Sequence, residues 1–167
     1  MKKIVFFSLA LFLFSCTDNK SKWIQNIKNL ESDKNYANSD SLIHTYIQFA
    51  EKFKDDKFAI NYLFKAAELQ VKQQKFNDGA KLYVNITETY PDSSLSTEAM
   101  FRAANIYQMI DEKNKCKILY NKFLEKYPNN ERNEEIKLIL ETIDLPKHIQ
   151  DSIFMDRILK KNPDLLQ

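Results

Sequence analysis

A repeat with a period of 37 residues constrains the fold of this chain more than any other feature. Residues 63–93 align without a gap with residues 100–130, and nine of the 31 aligned positions are identical. A period of about 20 to 50 residues is typical of repeat proteins, in which each unit buries its apolar face against the next. The chain is therefore predicted to contain stacked copies of one small unit. The identical pairs are Phe64/Phe101, Ala66/Ala103, Ala67/Ala104, Asn77/Asn114, Leu82/Leu119, Tyr83/Tyr120, Glu88/Glu125, Tyr90/Tyr127 and Pro91/Pro128.

Composition and spacing predict that each unit is a pair of helices. A single glycine among 167 residues is too few for a turn-rich β fold. Apolar residues recur at helical spacing in the second half of both units. Pro91 and Pro128 are expected to mark the ends of the second helices, because proline cannot donate the next helical N–H. The spaced residues are Leu82, Tyr83, Ile86 and Tyr90 in one unit and Leu119, Tyr120, Phe123 and Tyr127 in the other.

Small residues occur at matching places in the two helices of each unit. Ala67 and Gly79 are twelve residues apart, as are Ala104 and Cys116. Small side chains at facing positions allow two helix axes to approach closely. Together with the aromatic residue of the second helix and the terminal proline, this pattern resembles the tetratricopeptide repeat (TPR) family. The resemblance covers residues 39–143 and implies an all-α fold, with antiparallel helix pairs stacked as a short right-handed TPR-like solenoid.

Two departures from the family pattern indicate a variant form. The Trp and Gly that are usual in the first helix are replaced by Leu63 and Ala67 in one unit and by Met100 and Ala104 in the other. The usual Tyr is replaced by Gln70 in the first unit, while the second has Tyr107, and the period exceeds the usual 34 residues. This variety resembles that of envelope lipoproteins, including the TPR lipoprotein of the β-barrel assembly machinery and the Tol–Pal-associated periplasmic TPR protein.

The segments on either side of the two clear repeats follow the pattern less closely. Residues 45–56 fit the second helix of a preceding unit, with residues 22–32 as its first helix and Ser39 or Asp40 as an N-cap. Residues 133–145 fit a further first helix, ended by Pro146. Residues 147–162 form a last amphipathic helix. The repeats are assigned to residues 23–145 and a capping helix to residues 146–167, because repeat arrays need capped ends; the alternative is that this helix docks on a partner.

The N-terminal residues resemble the export signal of a bacterial lipoprotein. Lys2 and Lys3 precede an apolar run over residues 4–14, which is too short to span a bilayer as a helix. The following "LFSC" at residues 13–16 is similar to a lipobox, with Phe14 bulkier than usual. The resemblance implies a signal peptide over residues 1–15 and acylation of Cys16 with fatty acids such as palmitate. Residues 16–22 would be a polar tether, and the implied location is the outer membrane, facing the periplasm. A plain signal peptide is the alternative.

Charge and cysteine content limit the classes of partner. The two lysines within residues 1–15 account for the whole net charge of +2, so the processed chain would be neutral. Nucleic acid is not expected as a partner, because binding to it requires a positive field. If Cys16 is acylated, Cys116 remains as a single thiol and cannot form an internal disulfide.

No residue pattern indicates catalysis, a metal or a cofactor. One glycine excludes the glycine-rich phosphate loops. His44 and His148 are expected on helix surfaces, and Cys116 is expected at the helix contact, where a thiol behaves as a small apolar group. Trp23 is expected in the core of the N-terminal cap; the alternative is a platform for a ligand. The chain is therefore not predicted to be an enzyme; an enzyme without a recognisable motif is the remote alternative.

The TPR resemblance implies a protein-binding groove along the concave side, which the first helices of the repeats line. An aromatic residue at the same groove position in both repeats, Phe64 and Phe101, would suit an interface anchor; the alternative is that both rings pack against the neighbouring repeat. The implied groove residues are Asn61, Phe64, Glu68, Val71 and Lys72 in one repeat and Glu98, Phe101, Asn105, Gln108 and Met109 in the next.

These observations lead to a functional hypothesis. The protein is expected to be a non-enzymatic adaptor in bacterial cell-envelope assembly or maintenance. It would bind a protein or an extended peptide and attach to the membrane by its lipid anchor. A self-associating structural lipoprotein is the alternative.

Overall fold

A computed structural model of the chain describes the backbone of residues 5–161 and the side chains of residues 19–161. Helices are the only regular elements in this range, so the predicted all-α fold of antiparallel helix pairs is confirmed. The helices are α1 (Val5–Ser32), α2 (Asp40–Lys52), α3 (Ala59–Lys72), α4 (Phe76–Thr89), α5 (Ser94–Met109), α6 (Lys113–Lys126), α7 (Asn133–Thr142) and α8 (Lys147–Lys161).

The chain forms two compact units, residues 1–103 and 104–167. In the first unit α2 packs against α1 and α3, and α3 packs against α4. Rings from α2 and α3 form the centre of this core: Phe49 lies edge-on to Tyr62, with their ring centroids 4.8 Å apart. In the second unit the core joins α6 to α7 and includes Tyr120, Phe123 and Ile136.

Equivalent turns connect the two helices of each clear repeat. Gln74 and Asp111, which are 37 residues apart, both have the left-handed backbone conformation, with φ of 62° and 59°. The amide of the next residue then donates to a carbonyl of the preceding helix, over 2.9 Å from Lys75 to Gln70 and over 2.8 Å from Glu112 to Tyr107. This is a common way to end a helix, since it satisfies carbonyls that have no helical partner.

Gly79 lies at the contact between α3 and α4, close to Ala67, as the repeat pattern predicted. A Cβ atom added to Gly79 would be 2.6 Å from Cγ2 of Val71 and 3.1 Å from the carbonyl oxygen of Ala67. Ala104 and Cys116 are fully buried in the second unit. Val71, which was predicted to line the groove, therefore lies beside the contact between α3 and α4.

The flanking helices overlap the predicted elements, but α1 begins at Val5 rather than near residue 22, and α2 covers Asp40–Lys52 rather than residues 45–56. Ser39 is the N-cap of α2, and its hydroxyl accepts a hydrogen bond of 3.2 Å from the amide of Leu42. Residues 16–22, the predicted tether, lie within α1. The side chains of residues 1–18, which include those of the predicted lipobox and the acylation site at Cys16, lie outside the described part, as do residues 162–167. No helix in the searched range is long and apolar enough to cross a membrane.

Candidate functional site

A cluster around Arg102 brings together three of the predicted groove residues in the first unit. Its Nη1 donates to Oε1 of Glu68 over 2.9 Å, and its Nε donates to Oε1 of Glu98 over 2.7 Å. The guanidinium carbon lies 4.9 Å from the ring centroid of Phe64. Nη1 also donates to the hydroxyl of Tyr83 over 3.2 Å. Although burial favours the neutral form, the bonds to Glu98, Tyr83 and Glu68 raise the pKa of Arg102 above its usual range.

Phe64 belongs mainly to the interior of this cluster. Only 8% of it is exposed, and its ring meets Tyr83 edge-on, with the centroids 5.1 Å apart. Arg102, which covers Phe64, belongs to the first helix of the next repeat. Phe101 at the equivalent position is half-buried. The two rings are therefore in different environments, although they occupy the same place in the repeat.

The three equivalent residues one period earlier are also joined by hydrogen bonds. Lys65 donates to Oε1 of Glu31 over 2.6 Å, and the hydroxyl of Tyr46 donates to the same oxygen over 2.7 Å. Burial opposes ionisation of Glu31, but the hydrogen bonds from Lys65 and Tyr46 outweigh it and lower the pKa of this carboxyl. Tyr46, Glu31 and Lys65 each precede Tyr83, Glu68 and Arg102 by 37 residues. We call each such group of tyrosine, acid and cation a repeat triad.

The acid and the cation of the triad are both replaced in its third copy, which lies in the second unit. Tyr120 donates to Oδ1 of Asn105, so an amide replaces the acid. The cation position, 37 residues after Arg102, is occupied by the buried Ile139. A carboxylate here would lack its cationic partner, and burial of an unpaired charge is costly. With Oδ1 bonded to Tyr120, the Nδ2 group of Asn105 remains as a donor toward a ligand.

A cavity of about 620 Å³ lies next to Asn105 in the second unit. Gln150 supports its wall by donating from Nε2 to the carbonyl oxygen of Leu145 over 2.8 Å. Met109 and Leu145, which line the cavity, are 58% and 38% exposed. The lining consists of Asn105, Gln108, Met109, Asp111, Lys113, Ile143, Leu145, Pro146, Lys147 and Gln150.

This cavity, which we call the α5–α7 groove because α5 and the segment after α7 line it, contains the last three predicted groove residues, Asn105, Gln108 and Met109. Asn61 and Lys72, two further predicted groove residues of the first unit, have partners outside the Arg102 cluster. Asn61 donates from Nδ2 to the carbonyl oxygen of Lys57 over 3.0 Å, and Lys72 donates from Nζ to Oδ1 of Asn38 over 2.7 Å.

Sequence reasoning missed the importance of Lys65 and Arg102. Both are cations at the same position of the gapless alignment. A repeated charge next to an aligned aromatic residue was therefore an available signal for the repeat triad.

The described residues offer few means for catalysis. No group of three or more His, Cys, Asp or Glu side chains within residues 19–161 could bind a metal ion. Burial raises the pKa of Cys116 to about 12, so little of this thiol is ionised near neutral pH. His44 and His148 are both exposed on helices.

Comparison with known proteins agrees with the helix-pair geometry. Residues 62–93 and 98–130 match a family model described as tetratricopeptide repeat. These two segments have a TPR-like fold. The matched segments include most of α3 with α4, and most of α5 with α6. No curated protein and no solved structure matches the chain significantly.

TPR repeats are interaction modules and are generally not catalytic. The two TPR-like repeats therefore indicate a role in protein binding, and the α5–α7 groove is the candidate site within the second unit.

Proposed function

We propose that this protein is a lipid-anchored adaptor of the bacterial cell envelope, which binds a protein partner as an extended peptide in the α5–α7 groove. The observation that carries the proposal is the exposure of Met109 and Leu145 in a groove beside a TPR-like repeat. Exposed apolar side chains in a concave site with a few convergent polar groups are typical of binding sites.

The chemistry of the groove suits a peptide with an apolar side chain. Met109 is flexible and polarisable, so it can adapt to different apolar groups. The Nδ2 group of Asn105 can donate to a peptide carbonyl. Asp111, Lys113 and Lys147 place charges of both signs along the lining, where they would favour a partner with complementary charges.

The membrane attachment is supported by the sequence. "LFSC" at residues 13–16 follows the apolar run of residues 4–14, and Cys16 is the residue to be acylated. Two or more acyl chains would give stable attachment, whereas one chain gives only marginal binding. The proposed location is the outer membrane, facing the periplasm. Metabolic labelling with an alkyne fatty acid tests this anchor: Cys16→Ser should abolish labelling, and equal labelling of the variant would contradict acylation at Cys16.

The binding role is tested by a matched pair of substitutions in the second unit. Met109→Glu places a charge in the groove, whereas Ile118→Glu changes a similarly exposed apolar residue, 56% exposed, that does not line it. Both variants should keep a denaturation midpoint near that of the unchanged protein, since surface substitutions usually change stability by about 0.5 kcal/mol or less.

Only Met109→Glu should reduce the recovery of a specifically cross-linked partner in pull-down experiments. Loss of a central interface contact can cost about 2 kcal/mol or more. Equal recovery with both variants would contradict binding in the α5–α7 groove.

Self-association is a second candidate, and it is favoured by α8. Gln150 is the buried residue of this helix, while Ile149, Met155 and Ile158 are exposed. A second copy could cover these side chains. Light scattering over a range of protein concentrations separates the two candidates, because an adaptor without its partner should keep the mass of one chain.

A further inference from the structure

The first described turns of α1 and the loop after α2 form a surface that combines lysines with aromatic rings. Lys20 connects the two segments by an ion pair of 2.8 Å with Oδ2 of Asp56. Trp23 meets Phe53 nearly edge-on, with the ring centroids 6.5 Å apart. The loop is thus fixed against α1. We call this surface the N-terminal patch; it consists of the half-buried Trp23 and the exposed residues Lys22, Lys52, Lys54, Lys57 and Phe58.

The local charge of the N-terminal patch differs from that of the whole chain. Four lysines are exposed here, and the neighbouring exposed acids are Glu51 and Asp55. Asp56 adds little negative charge, because Lys20 is paired with it. A near-neutral protein therefore has a locally basic surface at this end.

The aromatic rings of the patch are covered by lysine ammonium groups. Nζ of Lys52 lies 5.5 Å from the ring centroid of Trp23, and Nζ of Lys57 lies 5.1 Å from that of Phe58. Phe58 is nevertheless 40% exposed. An apolar ring next to a cation suits the boundary between hydrocarbon and headgroups, where aromatic residues and lysines are enriched.

We propose that the N-terminal patch lies on a membrane surface that carries anionic phospholipid headgroups. Basic residues near such a surface are attracted to it, and the attraction acts within about one Debye length. A membrane is favoured over an acidic protein because Cys16, the residue proposed to be acylated, precedes the patch within α1, so this choice rests on the proposed function. Phe58 would enter the headgroup region, and the lysines would face phosphate groups.

Trp23 is a natural probe of this contact, because it is the single tryptophan of the chain. The full-length protein is reconstituted into vesicles of phosphatidylcholine, with or without phosphatidylglycerol. In both kinds of vesicle, part of the lipid is brominated near the headgroup end of its acyl chains, where bromine quenches tryptophan fluorescence. We expect stronger quenching of Trp23 fluorescence on the anionic vesicles, and we expect salt to weaken it.

A pair of variants with the same charge change separates the patch from the apolar N-terminal run. Lys54→Glu combined with Lys57→Glu alters the patch, and Lys34→Glu combined with Lys122→Glu alters two exposed lysines outside it. The first variant should lose most of the additional quenching, and the second should keep it. Trp23 that is not quenched on anionic vesicles, or an equal loss in both variants, would overturn the inference and leave an acidic protein as the partner of these lysines.

The experiment on the patch can be distinguished from the test of acylation at Cys16. Quenching reports where the first unit lies, whereas fatty acid labelling reports the anchor. Failure of one therefore does not imply failure of the other.

Discussion

At the scale of single residues, identical positions of the repeat have acquired different environments. Phe64 is packed between Tyr83 and Arg102, whereas Phe101 is only half-buried. In the second unit Asn105 and Ile139 replace the acid and the cation of the triad together, so neither leaves an unpaired charge.

The first prediction concerns these two phenylalanines. Phe64→Ala should cost roughly 3–5 kcal/mol of folding stability, because it opens a cavity under Arg102. Phe101→Ala should cost clearly less, since part of its ring is already in water. Denaturant titration of the two variants measures the difference, and equal losses would contradict the packing described for Phe64.

The second prediction concerns the contact between α3 and α4 at Gly79. Alanine is the better helix former by about 1 kcal/mol, yet Gly79→Ala should destabilise the protein because its Cβ would overlap Val71. Val71→Ala removes the Cγ2 methyl group that the new Cβ would overlap. Gly79→Ala should therefore lower the free energy of unfolding less when it is combined with Val71→Ala than when it is made alone. Additive changes in the free energy of unfolding would show that the two side chains do not compete for this space.

At the scale of helices, the repeat triad joins the first helix of one repeat to the first helix of the next. Arg102 on α5 contacts Glu68 and Phe64 on α3. The side chain of Arg102 is 40% exposed, so screening weakens its ion pairs and much of its effect should come from packing of its stem.

The third prediction follows from this balance. Arg102→Met keeps most of the stem over Phe64, whereas Arg102→Ala removes it. We expect Arg102→Ala to lose about 1–2 kcal/mol and Arg102→Met to lose less. Thermal and denaturant unfolding measure both, with Lys122→Ala as an exposed control; a larger loss for Arg102→Met would mean that charge pairing outweighs packing.

The fourth prediction concerns α8. The register of the repeat places Glu141 of α7 and Ile153 of α8 at the positions where the two clear repeats have small residues facing each other. The pair α7 and α8 therefore lacks the small side chains that allow two helices to approach closely. Amide hydrogens of α8 should therefore exchange faster than those of α4, which buries Gly79, Ala80, Tyr83, Ile86 and Thr87. Equal protection of α4 and α8 in exchange measured by mass spectrometry would contradict loose packing of α8.

The sequence predicted the helices well because the repeat fixed their register. The gapless alignment located α3 to α6, and the polar stretch before α2 contained its N-cap, Ser39. The sequence could not predict how far each groove residue is buried, because burial depends on side chains that come from other helices. Phe64 and Phe101 occupy the same position of the repeat, and Arg102, which covers Phe64, comes from the next repeat.

At the scale of the whole molecule, three regions have three different roles. The repeats supply the helical framework, the α5–α7 groove is proposed to bind a partner, and the N-terminal residues are proposed to attach the protein to a membrane. The TPR-like segments support protein binding in general. The envelope context rests on the sequence of residues 1–16.

The fifth prediction tests the central claim, that the α5–α7 groove binds another protein, by site-specific photo-crosslinking in intact cells. A photoreactive residue replaces Gln108, which lines the groove, or Asn121, an exposed residue of α6 that does not. We predict a discrete adduct with a different protein from position 108 and none from position 121, and we predict that Met109→Glu removes this adduct. Equal adducts from both positions, no adduct from position 108, or an adduct formed only by two copies of this chain would contradict the adaptor role.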